Sequence, residues 1–189
     1  MLLLIGAFMW KNSHERYGIV SKVLHWAMAL MILSMIGLGV YMTGLELGDS
    51  SRFQLYSFHK SIGVTILILA IIRFFWIHIS PPPKLPRALI RIEAVVAKIV
   101  QALLYVLMIA TPLVGYLMSN SAGYGVNYFG MVQLPRLLGK NHAWHEIFAE
   151  AHAILAFAFL FLVALHVAGA LKHRFLDKNV DADVLKRML

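Results

Sequence analysis

A run of thirteen consecutive apolar residues with a histidine at each end limits what this chain can fold into. The run fills residues 153–165, between His152 and His166, inside a largely apolar stretch at 143–175. An uncharged run of this kind is typical of a helix that crosses a membrane, because a surface helix would alternate apolar and polar residues. The sequence therefore predicts a membrane-spanning helix over residues 143–175.

The two histidines of this helix lie on nearly the same face but at different depths. They are fourteen positions apart, which brings the helix to within about 40° of its starting direction and separates the two side chains by roughly 21 Å along the axis. An imidazole in hydrocarbon is costly unless both of its ring nitrogens find partners. Our hypothesis is that His152 and His166 each hold a haem iron.

Composition agrees with a membrane protein and narrows the choice of ligands. The chain is 60% hydrophobic and 14% charged, which is too apolar for a soluble domain of 189 residues and typical of one compact membrane bundle. The sequence contains no cysteine, which excludes disulfides, iron–sulfur clusters and c-type haem attachment. The net charge of +8 does not indicate nucleic-acid binding, because the basic residues lie between long apolar segments and form no stripe on one face.

Four membrane spans follow from the apolar segments, so we expect an all-α membrane protein, a four-helix bundle that holds two haems b. The predicted spans are residues 19–42, 57–79, 94–119 and 143–175. Three prolines after Ser80 end the second span, and Pro112 and Gly115 are expected kink positions in the third. A glycine-rich and aromatic loop of about 25 residues before the fourth span is long enough to cover a site.

The domain organisation follows from these spans. Residues 1–18 form an N-terminal extension that is cytoplasmic or interfacial, since its first ten residues are apolar but too short to cross a membrane. Residues 19–175 form the four-helix transmembrane domain. Residues 176–189 form a cytoplasmic C-terminal tail.

The distribution of lysine and arginine predicts the orientation. Thirteen basic residues lie on the side of the two termini, and four lie on the other side. Because basic residues accumulate in the cytoplasm, we expect both termini to be cytoplasmic. The thirteen are Lys11, Arg16, Lys22, Arg73, Lys84, Arg87, Arg91, Lys98, Lys172, Arg174, Lys178, Lys186 and Arg187, and the four are Arg52, Lys60, Arg136 and Lys140.

With this orientation, four histidines fall into two pairs of matching depth. His25 begins the first span and His166 ends the fourth, so both lie toward the cytoplasm. His59 begins the second span and His152 lies in the first part of the fourth, so both lie toward the outside. Each pair is expected to bind one haem b through both axial positions. Irons without an open coordination site pass electrons and do not bind oxygen, which favours electron transfer across the membrane.

The histidines have two other interpretations, a packing role and a role in metal transport. A single histidine in a membrane helix is often a hydrogen-bonded packing residue, but four at two matched depths are hard to explain in this way. A divalent-metal transporter would place acidic residues deep in the spans, where the sequence has none. His14, His78 and His142 lie at boundaries or in loops, where ligation is not expected.

Further residues at the rims of the two haem sites are candidates for supporting roles. His145 competes with His152 as the outer ligand, but its spacing to His166 would be roughly 31 Å, the whole hydrocarbon thickness. His173 is a candidate proton-linked contact to a quinone or a haem propionate, or else an interfacial anchor. Arg73 and Lys60 are candidate propionate partners, although each side chain can also reach the membrane surface.

A family resemblance emerges from motifs that occur in order along the chain. The motifs are ERYG from Glu15, SKVLHW around His25, HKSIG from His59, Arg73 followed by SPPP, the His152 and His166 pair, and ALKHRFLD around His173. Together they cover nearly all of residues 15–189 and resemble the prokaryotic cytochrome b561 family. In some members of that family a WHE triplet carries the outer ligand, but here the triplet at Trp144 does not have the required spacing to His166.

The resemblance implies a di-haem b cytochrome of the bacterial inner membrane that exchanges electrons with the quinone pool, ubiquinone in particular. It assigns the axial ligands to His25, His59, His152 and His166. One branch is similar to a superoxide oxidase, which passes electrons from superoxide to ubiquinone. The alternatives are a haem b subunit that relays electrons from a dehydrogenase or hydrogenase partner, as in nickel–iron hydrogenases, and a haem-free metal-binding or transport protein.

Superoxide oxidation would require an outer surface that attracts an anion. Four basic residues on that side face four acidic ones, so the sequence shows no net positive charge there. The acidic residues are Glu46, Asp49, Glu146 and Glu150.

Overall fold

A computed structural model describes residues 9–46, 49, 51–86 and 88–189, apart from the side chain of Val180. The first eight residues of the predicted N-terminal extension lie outside the described residues. Arg87, one of the thirteen basic residues in the orientation argument, also lies outside them.

Four long helices make up most of the described chain, which confirms the predicted all-α class with four membrane helices. The helices are α1 (Ile19–Thr43), α2 (Arg52–Ile79), α3 (Arg91–Ser121) and α4 (His142–Phe175). Each is long and apolar enough to cross a membrane. The chain is therefore a multi-pass membrane protein.

Two helices begin earlier than hydropathy predicted. Helix α2 begins at Arg52 and α3 at Arg91, where the apolar segments suggested residues 57 and 94. Half of the eight added residues are charged or carry an amide, and a helix can continue through the hydrated interface because its backbone hydrogen bonds do not depend on an apolar environment. Hydropathy detects only the part of a helix that lies in hydrocarbon.

The helices pack in chain order, with α1 against α2, α2 against α3, and α3 against α4. A layer of buried apolar side chains lies midway along the bundle, where shape-complementary packing holds membrane helices together. Phe159 of α4, only 6% exposed, lies seven residues from His152 and seven from His166. The members of this layer are Met28, Ile32, Ile66, Ala70, Leu107, Met108 and Phe159.

A short β-hairpin lies at one end of the bundle, which we call the hairpin end. Strands β1 (Asn127–Tyr128) and β2 (Val132–Gln133) are antiparallel. The Ser61 hydroxyl of α2 accepts a hydrogen bond from the Phe129 backbone N–H at 3.0 Å, and the hydroxyls of Thr65 and Tyr128 lie 3.0 Å apart. These bonds hold the hairpin against the part of α2 that carries His59.

The two chain termini meet at the opposite end, which we call the terminal end. The Asn12 side chain donates to the Ser80 carbonyl at 2.7 Å, which ties the N-terminal segment to the end of α2. In the C-terminal tail, two 3₁₀ turns follow α4. The Trp26 indole N–H donates to the Met188 carbonyl at 3.0 Å, so the tail is attached to α1 next to His25.

Gly18, just before α1, has no room for a side chain. A Cβ atom there would overlap the Lys11 carbonyl oxygen. We expect Gly18→Ala to reduce the free energy of unfolding by about 1–3 kcal/mol or more, because backbone would have to move. Thermal unfolding of the detergent-solubilised protein would measure the change.

Gly37→Ala is the matched control for Gly18→Ala, because a Cβ atom at Gly37 would have nothing within 4 Å. Alanine also favours the helix interior over glycine by about 1 kcal/mol, so this variant is expected to be at least as stable as the parent. Equal stability of Gly18→Ala and Gly37→Ala would contradict the packing described for the terminal end.

Candidate functional site

Two pairs of imidazoles face each other inside the bundle, one toward each end. At the terminal end, the ring centroids of His25 and His166 are 6.2 Å apart, with an angle of 63° between the ring planes. At the hairpin end, the corresponding values for His59 and His152 are 6.3 Å and 79°. These are the pairs that depth matching predicted. One pair joins α4 to α1 and the other joins α4 to α2, and neither of those helices precedes α4 directly in the chain.

The separation within each pair fits a shared metal ion. Two imidazoles that bind one metal from opposite sides, each through a nitrogen about 2 Å from it, have ring centroids about 6.4 Å apart. Rings that hydrogen-bonded directly to each other would lie closer, and among the described residues no hydrogen bond joins the members of a pair. The four rings therefore fit two haem irons held between histidines.

The hairpin-end imidazole of α4, that of His152, is held by the backbone of α3. His152 Nδ1 donates to the Thr111 carbonyl oxygen at 3.1 Å, which keeps the proton of a neutral ring on Nδ1 and leaves Nε2 free to bind a metal. Its partner His59 differs, since the Nδ1 atom of His59 is buried without a hydrogen-bond partner among the described residues. Sequence reasoning did not identify Thr111, because a backbone acceptor requires no particular residue type.

Arg73 contacts the terminal-end pair directly. Its Nη2 atom donates to His25 Nδ1 at 3.1 Å, and its guanidinium lies over the Tyr105 ring at 5.5 Å. Neither contact was predicted, since the sequence suggested only a propionate or the membrane surface. Tyr17 completes the surroundings: its burial raises the pKa of the phenol, and the positive charge of Arg73 opposes that shift.

His173 lies in a charged network beyond the terminal-end pair of His25 and His166. Its side chain is buried, and Nδ1 donates to Asp177 Oδ2 at 2.6 Å. Lys172 Nζ lies 2.5 Å from Glu93 Oε1 and 2.9 Å from Asp177 Oδ1. The hydrogen bond from His173 lowers the pKa of the Asp177 carboxyl, and Lys172 lowers it further. Glu93, His173 and Asp177 are close enough to bind a metal ion, but the Lys172 ammonium already forms ion pairs with both carboxylates.

Three basic side chains gather around one loop at the hairpin end, and we call Lys60, Arg136 and Lys140 the hairpin-end cluster. Lys60 Nζ lies 5.4 Å from the Tyr124 ring centroid. The Lys140 side chain packs against Gly123 and the Arg136 side chain lies beside Gly125, on either side of that tyrosine. The equal numbers of basic and acidic residues counted for this side of the chain therefore hide a local concentration of positive charge.

His145, the competing ligand in the sequence, lies nearer the hairpin-end rim than His152. Its Nδ1 atom donates to the Met118 carbonyl at 3.2 Å, in the last turns of α3. Among the described residues, its ring forms no close pair with another imidazole. The geometry therefore gives His145 a contact with α3 and gives His152 the place opposite His59.

Comparison with known proteins agrees with this architecture. Residues 16–189 match the family described as prokaryotic cytochrome b561. Cytochrome b561 homolog 2 of Escherichia coli (strain K12) is 34% identical over 178 residues, which cover 94% of this chain and 93% of the relative. The probable superoxide oxidase CybB of Yersinia pestis is 25% identical over 181 residues, which cover 93% of this chain and 97% of the relative.

The family match extends over nearly the whole chain, and the more similar of the two relatives matches at almost full length on both sides. The match includes all four helices and all four paired histidines. This chain belongs to the prokaryotic cytochrome b561 family, whose members are haem-containing electron-transfer proteins of the membrane.

Proposed function

We propose that this protein carries electrons across the membrane through two haems b and delivers them to the quinone pool. His25 and His166 hold one haem, and His59 and His152 hold the other. The observation that carries the proposal is the presence of two facing imidazole pairs, with centroids 6.2 and 6.3 Å apart, at the two ends of one bundle. When bound, haem b supplies reversible one-electron transfer at iron.

The residues around the pairs support this chemistry. Histidine ligation on both faces leaves no coordination position for oxygen. The apolar layer around Phe159 separates the two levels and keeps water out of the region between them. In a dry, tightly packed interior the surrounding groups rearrange little when an electron moves through it. Such an interior favours electron transfer over bond-forming chemistry.

The proposed orientation places the terminal end in the cytoplasm of a bacterium, at its inner membrane. It rests on the thirteen basic residues of that side against four on the other. In this arrangement residues 1–18 form a cytoplasmic or interfacial extension, residues 19–175 the transmembrane domain and residues 176–189 a cytoplasmic tail. The hairpin end then faces the periplasm.

Two basic residues are proposed partners of haem propionates. Arg73 donates to His25 Nδ1, so the proton of that neutral ring lies on Nε2. For Nε2 to bind iron, the proton must move to Nδ1, and because a protonated Nδ1 cannot accept a hydrogen bond, Arg73 must then release the ring. Its guanidinium is then free to pair with a propionate at the terminal end. Lys60, next to His59, is placed for the same role at the hairpin end.

His173 is the proposed contact for the quinone head group at the terminal end. Its Nδ1 atom is engaged by Asp177, which leaves Nε2 as the nitrogen that can face a quinone oxygen. Reduction of ubiquinone to ubiquinol takes up two electrons and two protons, and an imidazole can pass protons near neutral pH. The Asp177 carboxylate holds the ring in place through this hydrogen bond.

Superoxide is the proposed electron donor at the hairpin end. Each superoxide anion gives one electron and leaves as oxygen, so two superoxide anions, two protons and one ubiquinone give two oxygen molecules and one ubiquinol. The hairpin-end cluster supports this donor, because three cations around Gly123–Gly125 would attract a small anion toward the outer pair. The name of the Yersinia pestis relative describes the same activity for that protein.

The ligand assignment predicts different outcomes for two neighbouring histidines. The purified parent should contain two haems per chain, measured from the reduced-minus-oxidised spectrum against protein concentration. His152→Ala should retain only one of them, because His59 loses its opposite ligand. His145→Ala is the matched control and should retain both. Two haems in His152→Ala, or one in His145→Ala, would contradict the assignment.

The hairpin-end cluster predicts a charge-dependent reaction with superoxide. We expect the Arg136→Gln and Lys140→Gln double variant to slow haem reduction by superoxide by about 10-fold at low salt and to weaken its dependence on ionic strength. Stopped-flow spectroscopy with a superoxide source would measure the rate. Arg52→Gln is the control, since it removes a cation from the same end but from a residue that lies over Tyr56. Equal rates in all three proteins would contradict superoxide steering.

The role of His173 predicts a defect confined to the quinone. His173→Asn should slow reduction of a soluble ubiquinone analogue by roughly 10²-fold, because a proton donor is lost, and should leave the haem content at the parent value. The control is His78→Asn, at the same end, where the ring donates to the Phe74 carbonyl. If ubiquinone reduction by His173→Asn matched that of the parent, the quinone contact would lie elsewhere.

A further inference from the structure

The face of α3 that meets His152 combines a carbonyl acceptor with a missing side chain. The Thr111 carbonyl accepts the hydrogen bond from His152 Nδ1 at 3.1 Å. One helical turn later, a Cβ atom at Gly115 would lie 2.9 Å from His152 Cε1 and 3.0 Å from its Nδ1. Real Cβ atoms do not approach other atoms so closely, so the imidazole occupies the space that any other residue at 115 would fill.

Pro112 lies between these two positions, but it is not what makes the Thr111 carbonyl available. A proline lacks the N–H that would bond to the carbonyl four residues earlier, which here is that of Met108. The Thr111 carbonyl can accept from His152 because a carbonyl oxygen has two lone pairs and can take a second hydrogen bond in addition to one within the helix. The Thr111 hydroxyl does not take part, because its oxygen is buried without a partner among the described residues.

We propose that Gly115 and the Thr111 carbonyl are the positioning groups of the hairpin-end haem site. The carbonyl keeps the proton of His152 on Nδ1, so Nε2 is the free nitrogen toward His59, and Gly115 provides the space in which the ring takes this orientation. The inference rests on the proposed function, since it assumes that His152 binds iron.

The same contact sets the electronic character of this ligand. An imidazole that donates Nδ1–H to a carbonyl is a more basic ligand than one without such an acceptor. A more basic ligand stabilises ferric over ferrous iron, so the bond to Thr111 lowers the reduction potential of the hairpin-end haem. At the other end Arg73 donates to His25, and no contact with Thr111 or Gly115 is involved. A change at Gly115 should therefore affect one haem only.

Gly115→Ala tests the proposal on the holoprotein. The added methyl group must push the ring away from α3, which lengthens or breaks the bond to Thr111 and turns the His152 plane from its present 79° to His59. Electron paramagnetic resonance is sensitive to the angle between axial imidazole planes. We expect the largest g value of the hairpin-end haem to shift and its reduction potential to rise, or that haem to be lost, while the terminal-end haem keeps its signal and its potential.

Two controls separate positioning from a general disturbance of the bundle. Gly169→Ala adds the same methyl group to α4, where nothing lies within 4 Å of it, and should leave both haems unchanged. Thr111→Val removes the hydroxyl but keeps the carbonyl, and should also leave both unchanged. Each variant would be examined by resonance spectroscopy, potentiometric titration and haem content.

Three results would overturn the inference: an unchanged hairpin-end haem in Gly115→Ala, loss of both haems in that variant, or an equal effect from Thr111→Val. A parent protein with fewer than two haems would instead overturn the proposed function. The two failures are therefore distinguishable, because the second is detected before any variant is compared.

Discussion

The cost of an unsatisfied polar group in an apolar interior is the constraint on which this bundle depends. Each of the four paired histidines brings polar nitrogens into such an interior, where leaving them without a partner is costly. The structure places the rings in two facing pairs and engages Nδ1 of His25 with Arg73 and Nδ1 of His152 with the Thr111 carbonyl. Nδ1 of His59 has no partner among the described residues, so the polar contacts of the two pairs differ.

The pairing itself could be predicted, because it depends on quantities that a sequence contains. Spacing along a helix gives depth, and the side on which basic residues accumulate gives each depth a direction. Together these match His25 with His166 and His59 with His152 from the sequence alone. The helix count was predictable for the same reason, since each span is a long apolar segment, although the helix ends were not.

The contacts that support the pairs could not be predicted in the same way. Thr111 holds His152 through its backbone, and a carbonyl is present at every position, so no residue type marks it. Arg73 was identified as important, but its contact with His25 bridges two helices and depends on their rotation about their own axes. The hairpin has strands of two residues, which is too short for an alternating pattern, and its bonds to Ser61 depend on tertiary packing. Hydropathy and periodicity report on single helices, and these features lie between helices.

The distribution of the histidines has a consequence for how the protein is made. Helix α4 leaves the ribosome after α1, α2 and α3, and it carries one member of each imidazole pair, while α1 and α2 carry the others. A nascent chain with only the first three helices inserted therefore has one histidine of each pair and neither pair complete. If the pairs hold haem as proposed above, a chain that is truncated before α4 lacks one ligand of each site. The order of the helices along the chain then makes haem acquisition follow the insertion of α4.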